Sequence, residues 1–470
     1  LLYIIAKITS KGADNQTFFL GNRKAPWYII AFGMISASLS GITFISLPGW
    51  VVNSNFYYMQ MVLGYLVGYA LIAHVLLPTY YRHNVTSIYM YLNHRLGPIS
   101  YKTGASVFLI SRLLGASLRV YLVALVLQYI ICDAFNIPFM VTVLSMVFLI
   151  WLYTHQGGIK TIIWTDFLQT FSLLAALIAT IVIIAQKSNL SFINLVDTIY
   201  KSPNSAMFYF DDINSKYHFV KQFISGALIA LVMTGLDQDI MQKNLSCKNI
   251  NDAKKNIYSY SFLLVPVNLL FLSLGALLVW YYHQIGLTLP EKTDEIFPMI
   301  ATNGTLPIIV SILFTIGLVA VTFSSADSAL TSLTTSFTLD ILGMDENNNS
   351  KLHKTRKIVH MVMALAIALC ILLIHAMNNK AIIDTLFSVA AYTYGPLLGL
   401  FSFAMLTKYK VKENWVPLIA ILAPLITYLI YLKISANSKY EFSYETLLIN
   451  AAIVFFGLFI IKTKKAVLMK

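Results

Sequence analysis

The feature that most constrains this chain is the recurrence of apolar stretches of about 20 residues, separated by short polar breaks, along the whole sequence. Each is long enough as a helix to cross a hydrocarbon core about 30 Å thick. The stretches fall at 26–50, 56–80, 103–132, 136–153, 161–186, 219–242, 257–282, 306–340, 357–376, 381–406, 415–432 and 443–461, which gives twelve expected spans. A transmembrane barrel would show alternating segments of about ten residues instead. Composition agrees with helices in lipid: 58% of residues are apolar, 11% are charged and the mean hydropathy is +0.72. The chain therefore reads as an all-α polytopic membrane protein.

The opening Leu1 to Ala6 is apolar, lacks an initiator Met and runs into Lys7 and Lys11, so the chain is expected to be truncated within a leading helix; no signal peptide is visible. A net charge of +13 would suggest nucleic acid in a soluble protein, but here it sorts by loop. Alternate loops hold most of the Lys and Arg, among them Lys24, Arg95, Lys160, Lys243, Lys248, Lys351, Lys410 and Lys462. By the positive-inside rule that side is cytoplasmic, which places the protein in the cell's inner (plasma) membrane with its C-terminus inside. The lipid bilayer is an expected partner and nucleic acid is not. Cys132, Cys247 and Cys370 form no CxxC pair, so neither a disulfide framework nor a zinc site is indicated. Nothing in the sequence indicates an oligomeric state.

Ionisable groups at a helix centre cost about 2.5–3.5 kcal/mol on insertion scales, yet this chain keeps several. Arg112 and Arg119 lie seven apart in the third span, on one face; Asp166, Asp237, Asp239, Asp327 and Asp384 lie in others. An internal ion pair or a snorkelling residue would explain Arg112, Asp239 and Asp384 as well as a functional site would, and Asp166 and Asp327 less well, since these sit beside further oxygen-bearing side chains. In the eighth span, Ser324, Asp327, Ser328, Thr331 and Thr335 form a stripe of oxygens at helical spacing. Small hydroxylated residues also pack membrane helices together, but Asp327 adds a carboxylate suited to a hard cation. The first span carries Ser36-Ala37-Ser38-Leu39-Ser40-Gly41-Ile42-Thr43, small and polar at its centre, where an unwound backbone can expose carbonyls only if it lines a cavity. Five spans later, Thr234-Gly235-Leu236-Asp237-Gln238-Asp239 is a second weak point. Interrupted spans at matching positions of two halves point to a transporter built from inverted repeats.

Four motifs in order resemble the sodium:solute symporter family, which includes sodium/glucose, sodium/proline and sialic acid carriers. They are Gly157-Gly158 with Trp164-Thr165-Asp166-Phe167-Leu168-Gln169; Gln242-Lys243-Asn244-Leu245-Ser246-Cys247-Lys248 with Ala253-Lys254-Lys255; Ser324-Ser325 leading to Phe337-Thr338-Leu339-Asp340; and Ala391-Tyr392-Thr393-Tyr394-Gly395-Pro396. The resemblance covers nearly the whole chain. It implies a LeuT-type five-plus-five inverted repeat with additional flanking helices: 1–25 the end of a leading helix and a cytoplasmic loop, 26–186 the first repeat, 187–218 an extracellular loop, 219–406 the second repeat, and 407–470 two additional helices.

The resemblance further implies a sodium ion held by the carbonyls of Ser36, Leu39 and Val321 and the hydroxyls of Ser324 and Ser325. A second cation site would use Asp166, Asp327 and Ser328, where Asp327 replaces the hydroxyl typical of the family. Two neighbouring carboxylates could hold a second sodium or share a proton. The solute cavity is expected between the first, second, third, sixth and tenth core helices, with Ser38, Ser40, Thr43, Gln60, Arg119, Asp237, Gln238 and Ser388 as candidate liners. The Arg that sialic acid carriers use for the substrate carboxylate aligns near Gly115, where Arg112 or Arg119 could replace it from another turn, and the polar set of glucose carriers is not reproduced, so the family's known substrates do not transfer and a sugar, an amino acid or an organic anion all stay open as the solute. The implied function is sodium-coupled symport by alternating access. A membrane-embedded enzyme is disfavoured, since the His residues form no HExxH or paired cluster. A proton-coupled carrier or a transporter-like sensor of the same fold differs only in ion dependence or output.

Overall fold

The computed structural model describes residues 1–344, 349–377 and 382–465, with side chains described except at 349, 382–391 and 464–465. Among the described residues, seven helices are long and apolar enough to cross a membrane singly, two further crossings are bent helix pairs, and three shorter apolar helices accompany them. Each of the twelve apolar stretches coincides with one of these.

The first crossing is two half-helices, α1 (Trp27–Ser38) and α2 (Gly41–Ser54), bent by 65°. Leu39 and Ser40 between them take extended backbone, with ψ of 105° and 169°. Serines here hydrogen-bond locally and weaken the helix, and Gly41 adds backbone freedom. Then come α3 (Tyr58–Leu71), α4 (Pro98–Leu127), α5 (Phe139–Thr154) and α6 (Ile159–Lys187). The turn into α6 is made by Gly157-Gly158; Gly158 has φ of +49°, and a Cβ there would strike the Phe18 ring at 2.5 Å.

The sixth crossing breaks as the first does. Helix α7 (Phe219–Ala230) passes through a π turn, Leu231–Gly235, and after Leu236 and Asp237 the chain leaves as α8 (Gln238–Leu245) at 66°. Asp237 caps α8 by accepting from the Asp239 N–H at 2.8 Å. The remaining helices are α9 (Ile250–Gln284), α10 (Ile308–Ser336), α11 (Asn349–Met377), α12 (Ile382–Leu406), α13 (Val416–Asn437) and α14 (Thr446–Ile460). A short antiparallel ribbon, Tyr409–Val411 with Lys462–Lys465, departs from the purely helical expectation and ties the entry of α13 to the exit of α14.

Helix α6 packs along α10 and α1, and α3 along α7. The layout separates interior from rim. In Ile308–Ile341, 56% of the most apolar window is buried, against 22% in Glu413–Asn437. In that outer helix Leu418, Ile421, Leu425 and Leu429 recur at helical spacing and are exposed, a face suited to lipid tails. Small residues set the α3–α7 crossing, where Gly64 and Gly68 on α3 face Gly226 on α7. A Cβ on Gly226 would meet the Met61 carbonyl oxygen at 2.1 Å, and one on Gly64 the Phe223 carbonyl oxygen at 2.0 Å. Replacing Gly226 with Val should therefore destabilise the fold by about 1–3 kcal/mol, read as a lower melting temperature in detergent; an unchanged melting temperature would contradict this close crossing.

Candidate functional site

Where α1 ends, its hydrogen-bond ladder skips four rungs: the Leu39 N–H donates to Ile35, and the next rung runs from Phe44 to Ser40. The carbonyls of Ser36, Ala37, Ser38 and Leu39 are thereby left free of helix bonding. Carbonyls released at membrane depth need another partner, such as a cation or a polar wall. Beside them lies α10. The Ser36 Oγ stands 2.9 Å from the Ser324 Oγ, and the Ser325 hydroxyl donates to the Val321 carbonyl at 3.1 Å. The structure thus brings Ser36, Ser324, Ser325 and Val321 to one junction, with Leu39 in the adjoining break.

Helix α6 closes this junction from the side. Gly33 packs so tightly on it that a Cβ would meet the Asp166 Cβ at 2.9 Å. The Ser36 hydroxyl reaches the Asp166 carbonyl at 3.3 Å, the Ser36 N–H donates to the Thr170 Oγ1 at 3.1 Å, and that hydroxyl donates to the Gly33 carbonyl at 3.3 Å. Ser324 donates to the Asp166 Oδ1 at 2.5 Å. The donor set is oxygen throughout, of carbonyls and hydroxyls with a carboxylate one bond away, which fits a hard monovalent cation. No group of three or more His, Cys, Asp or Glu suited to a metal ion occurs among the described residues.

Asp166 borders this junction directly, and Asp327 and Ser328 lie one turn along α10 from Ser324. Asp327 accepts from the Tyr153 hydroxyl at 2.8 Å and from Ser328 at 3.2 Å. Asp166 meets a side chain that hydropathy assigned to a loop: the Lys243 Nζ lies 2.6 Å from its Oδ2, and both side chains are only 1% exposed. Lys243 belongs to α8, the half-helix that follows the second break.

The second break differs from the first in how its carbonyls are treated. The Tyr80 hydroxyl donates to the Gly235 carbonyl and the Tyr89 hydroxyl to the Leu236 carbonyl, each at 3.0 Å. The protein therefore satisfies this break with its own tyrosines and leaves the Ser36–Leu39 break open. Gln238 also serves the break, donating to the Thr86 carbonyl and accepting from the Ile88 N–H, both at 2.9 Å. Asp237 accepts from the Tyr394 hydroxyl at 2.5 Å and lies 3.6 Å from the Arg112 Nη1; Asp239 pairs with the other end of the same guanidinium.

A cavity of about 120 Å³ opens beside the first break. Its wall includes Ser38, Ser40 and Thr43 together with Arg112 and Arg119. Tyr58, Tyr65, Tyr69 and Tyr260 give it an aromatic side; Tyr69 donates to Tyr260, and Tyr260 in turn to Ser38. Asp237 and Gln238 are not in this wall, being turned to the bonds just described. Gln60 is also elsewhere: its amide holds the 187–218 connection by donating to the Tyr217 carbonyl and accepting from the Tyr209 N–H, each at 3.0 Å. The side chains of Ser388 and Asp384 lie outside the described residues.

Sequence reasoning missed Lys243 and the tyrosines. The available signal for Lys243 was the break itself, because a half-helix resuming at Gln238 carries Lys243 into the packed interior.

The model of the sodium:solute symporter family matches residues 18–414. The sodium/sialic acid symporter NanT of Aliivibrio fischeri is 27% identical over 405 residues, covering 83% of this chain and 77% of the relative. The sodium/sialic acid symporter SiaT of Proteus mirabilis is 23% identical over 416 residues, 85% of this chain and 80% of the relative. The sodium/glucose cotransporter of Vibrio parahaemolyticus is 25% identical over 392 residues, 76% of this chain and 70% of the relative. A substrate-bound, outward-open structure of a Na+-coupled sialic acid symporter superposes with a TM-score of 0.81 over 98% of this chain and 94% of that one, at 20% identity. A nucleobase-cation-symport-1 family transporter, closed with bromovinylhydantoin bound, gives 0.59 over 93% and 92%, at 15% identity. These likenesses establish the LeuT-type fold with flanking helices. With the family match extending over most of its length, the chain belongs to the sodium:solute symporter family.

Proposed function

We propose that this protein is a transporter, not an enzyme, and couples sodium to the symport of a small organic anion across the inner (plasma) membrane, with its C-terminus in the cytoplasm. The observation that carries the anion is Arg119. Its side chain is buried in the cavity wall, and no carboxylate lies within ion-pairing distance of it among the described residues. Arg112, two turns away, is paired with Asp237 and Asp239. Both arginines face the cavity and no acidic side chain lines it, so the charge presented to a solute is positive. A buried guanidinium is best satisfied by a planar anion such as a carboxylate. The Na+-coupled relatives that handle sialic acid and monocarboxylates act on acids, in agreement with this reading. The volume favours a short one, since a cavity of about 150 Å³ takes benzene.

Sodium is carried with the solute at the Ser36, Leu39, Val321, Ser324 and Ser325 position. There it joins α1 to α10 and favours the arrangement in which α2 completes the solute cavity. Binding can drive this only through unequal affinity for the two arrangements. The repeats 26–186 and 219–406 are the bodies that move. Loss of sodium to the cytoplasm loosens the junction, and the membrane potential contributes about 2.3 kcal/mol per charge per 100 mV.

Purified protein should be stabilised against heat by sodium over potassium or choline at equal ionic strength, and further by a short-chain acid. Arg119→Gln should lose the acid's effect, with apparent affinity falling on the order of 100-fold, while keeping the sodium effect. A neutral sugar that stabilises the wild type as well as any acid would overturn the anion assignment. Ser324→Ala and Ser325→Ala should each raise half-saturating sodium about tenfold or more with membrane insertion intact; unchanged sodium affinity in both would overturn the site.

A further inference from the structure

The arrangement around Asp166 does not fit a second sodium, and we infer that the Lys243 ammonium is a resident cation in that position, so that one sodium is carried per cycle. This rests on the symport reading and goes beyond it. The resemblance supplies the position: Asp166 and Ser328, with Asp327 where the family has a hydroxyl. The structure fills it from within. The Lys243 Nζ lies 2.6 Å from the Asp166 Oδ2, and Ser324 donates to the Oδ1 at 2.5 Å. The Asp327 oxygens accept from Tyr153 at 2.8 Å and Ser328 at 3.2 Å. Every carboxylate oxygen of the candidate site thus already accepts from a donor of the protein, and the Ser328 proton is committed to Asp327. Displacing Lys243 would leave an ammonium buried without its partner, which costs several kcal/mol.

Charge gives a second, independent reason. Lys243 compensates one of the two carboxylates. The other is compensated by the single sodium at the junction, where Ser324 stands one helical turn from Asp327 on the same face of α10. A second sodium would add an uncompensated charge to an interior where Asp166, Lys243 and Asp327 are each no more than 1% exposed. Asp327 therefore serves the sodium that is carried, and Asp166 holds the lysine that stays. Lys243 rides on α8 and Asp166 on α6, so the pair also ties the two repeats together beside the sodium junction.

Direct binding of radioactive sodium to the purified protein tests this without relying on transport. The expected count is one ion per chain in the wild type, with a Hill coefficient near one. In Lys243→Met, at pH 8.5, the count should rise to two; Lys243→Arg should restore one. A wild type that binds two ions, or a folded Lys243→Met that still binds one, would overturn the inference and leave symport standing. A wild type that binds none would overturn the symport reading itself, and the inference with it. Should Lys243→Met not fold, the wild-type count and that of the charge-neutral Asp166→Asn/Lys243→Met pair decide: both should be one, and two ions in either contradicts the account.

Discussion

The structure depends on one constraint: a backbone carbonyl at membrane depth must find a partner, and at the end of α1 four carbonyls have none within the helix. A continuous first helix would be more stable in isolation. The break is held open because α6 and α10 take hold of its end, through Ser36 to Ser324, Ser36 to Thr170 and the close seat of Gly33 on Asp166. What holds the break also surrounds it with oxygens. Site and fold are therefore the same set of contacts, and an ion that binds there acts directly on the packing of one repeat against the other.

The two broken crossings share a shape and differ in chemistry. The sixth is stitched by Tyr80, Tyr89, Gln238 and Tyr394, so its carbonyls and its Asp237 are satisfied by the protein. The first leaves its carbonyls without helix donors. The same division runs through the buried charges. Arg112 is tied to Asp237 and Asp239, and Lys243 to Asp166, whereas Arg119 faces the cavity with no such partner among the described residues. Charged groups in this interior divide into those paired within the bundle and one that lines the cavity.

That division explains what was legible in the sequence. Helix count and both breaks follow from hydropathy and from small or polar residues at span centres, local properties that a single chain displays. Ser324 and Ser325 stand in one of the family motifs, and Ser36 in the small, polar centre of the first span. Gln60, Asp237 and Gln238 look like liners for the same reason that Arg119 does, being polar at membrane depth, and only packing shows that they bond to the 187–218 connection, to Tyr394 and to Thr86. Lys243 misleads most, since a lysine ending an apolar run reads as a loop charge unless its Asp166 partner, 77 positions earlier, is known. The bonding partner decides each case, and hydropathy carries no partner.

The most direct test of the account is uptake of a radiolabelled short-chain carboxylate into proteoliposomes under an imposed inward sodium gradient. Accumulation above equilibrium that collapses when potassium or choline replaces sodium is the predicted result. Uptake that proceeds equally in all three cations would contradict coupling at the α1–α10 junction.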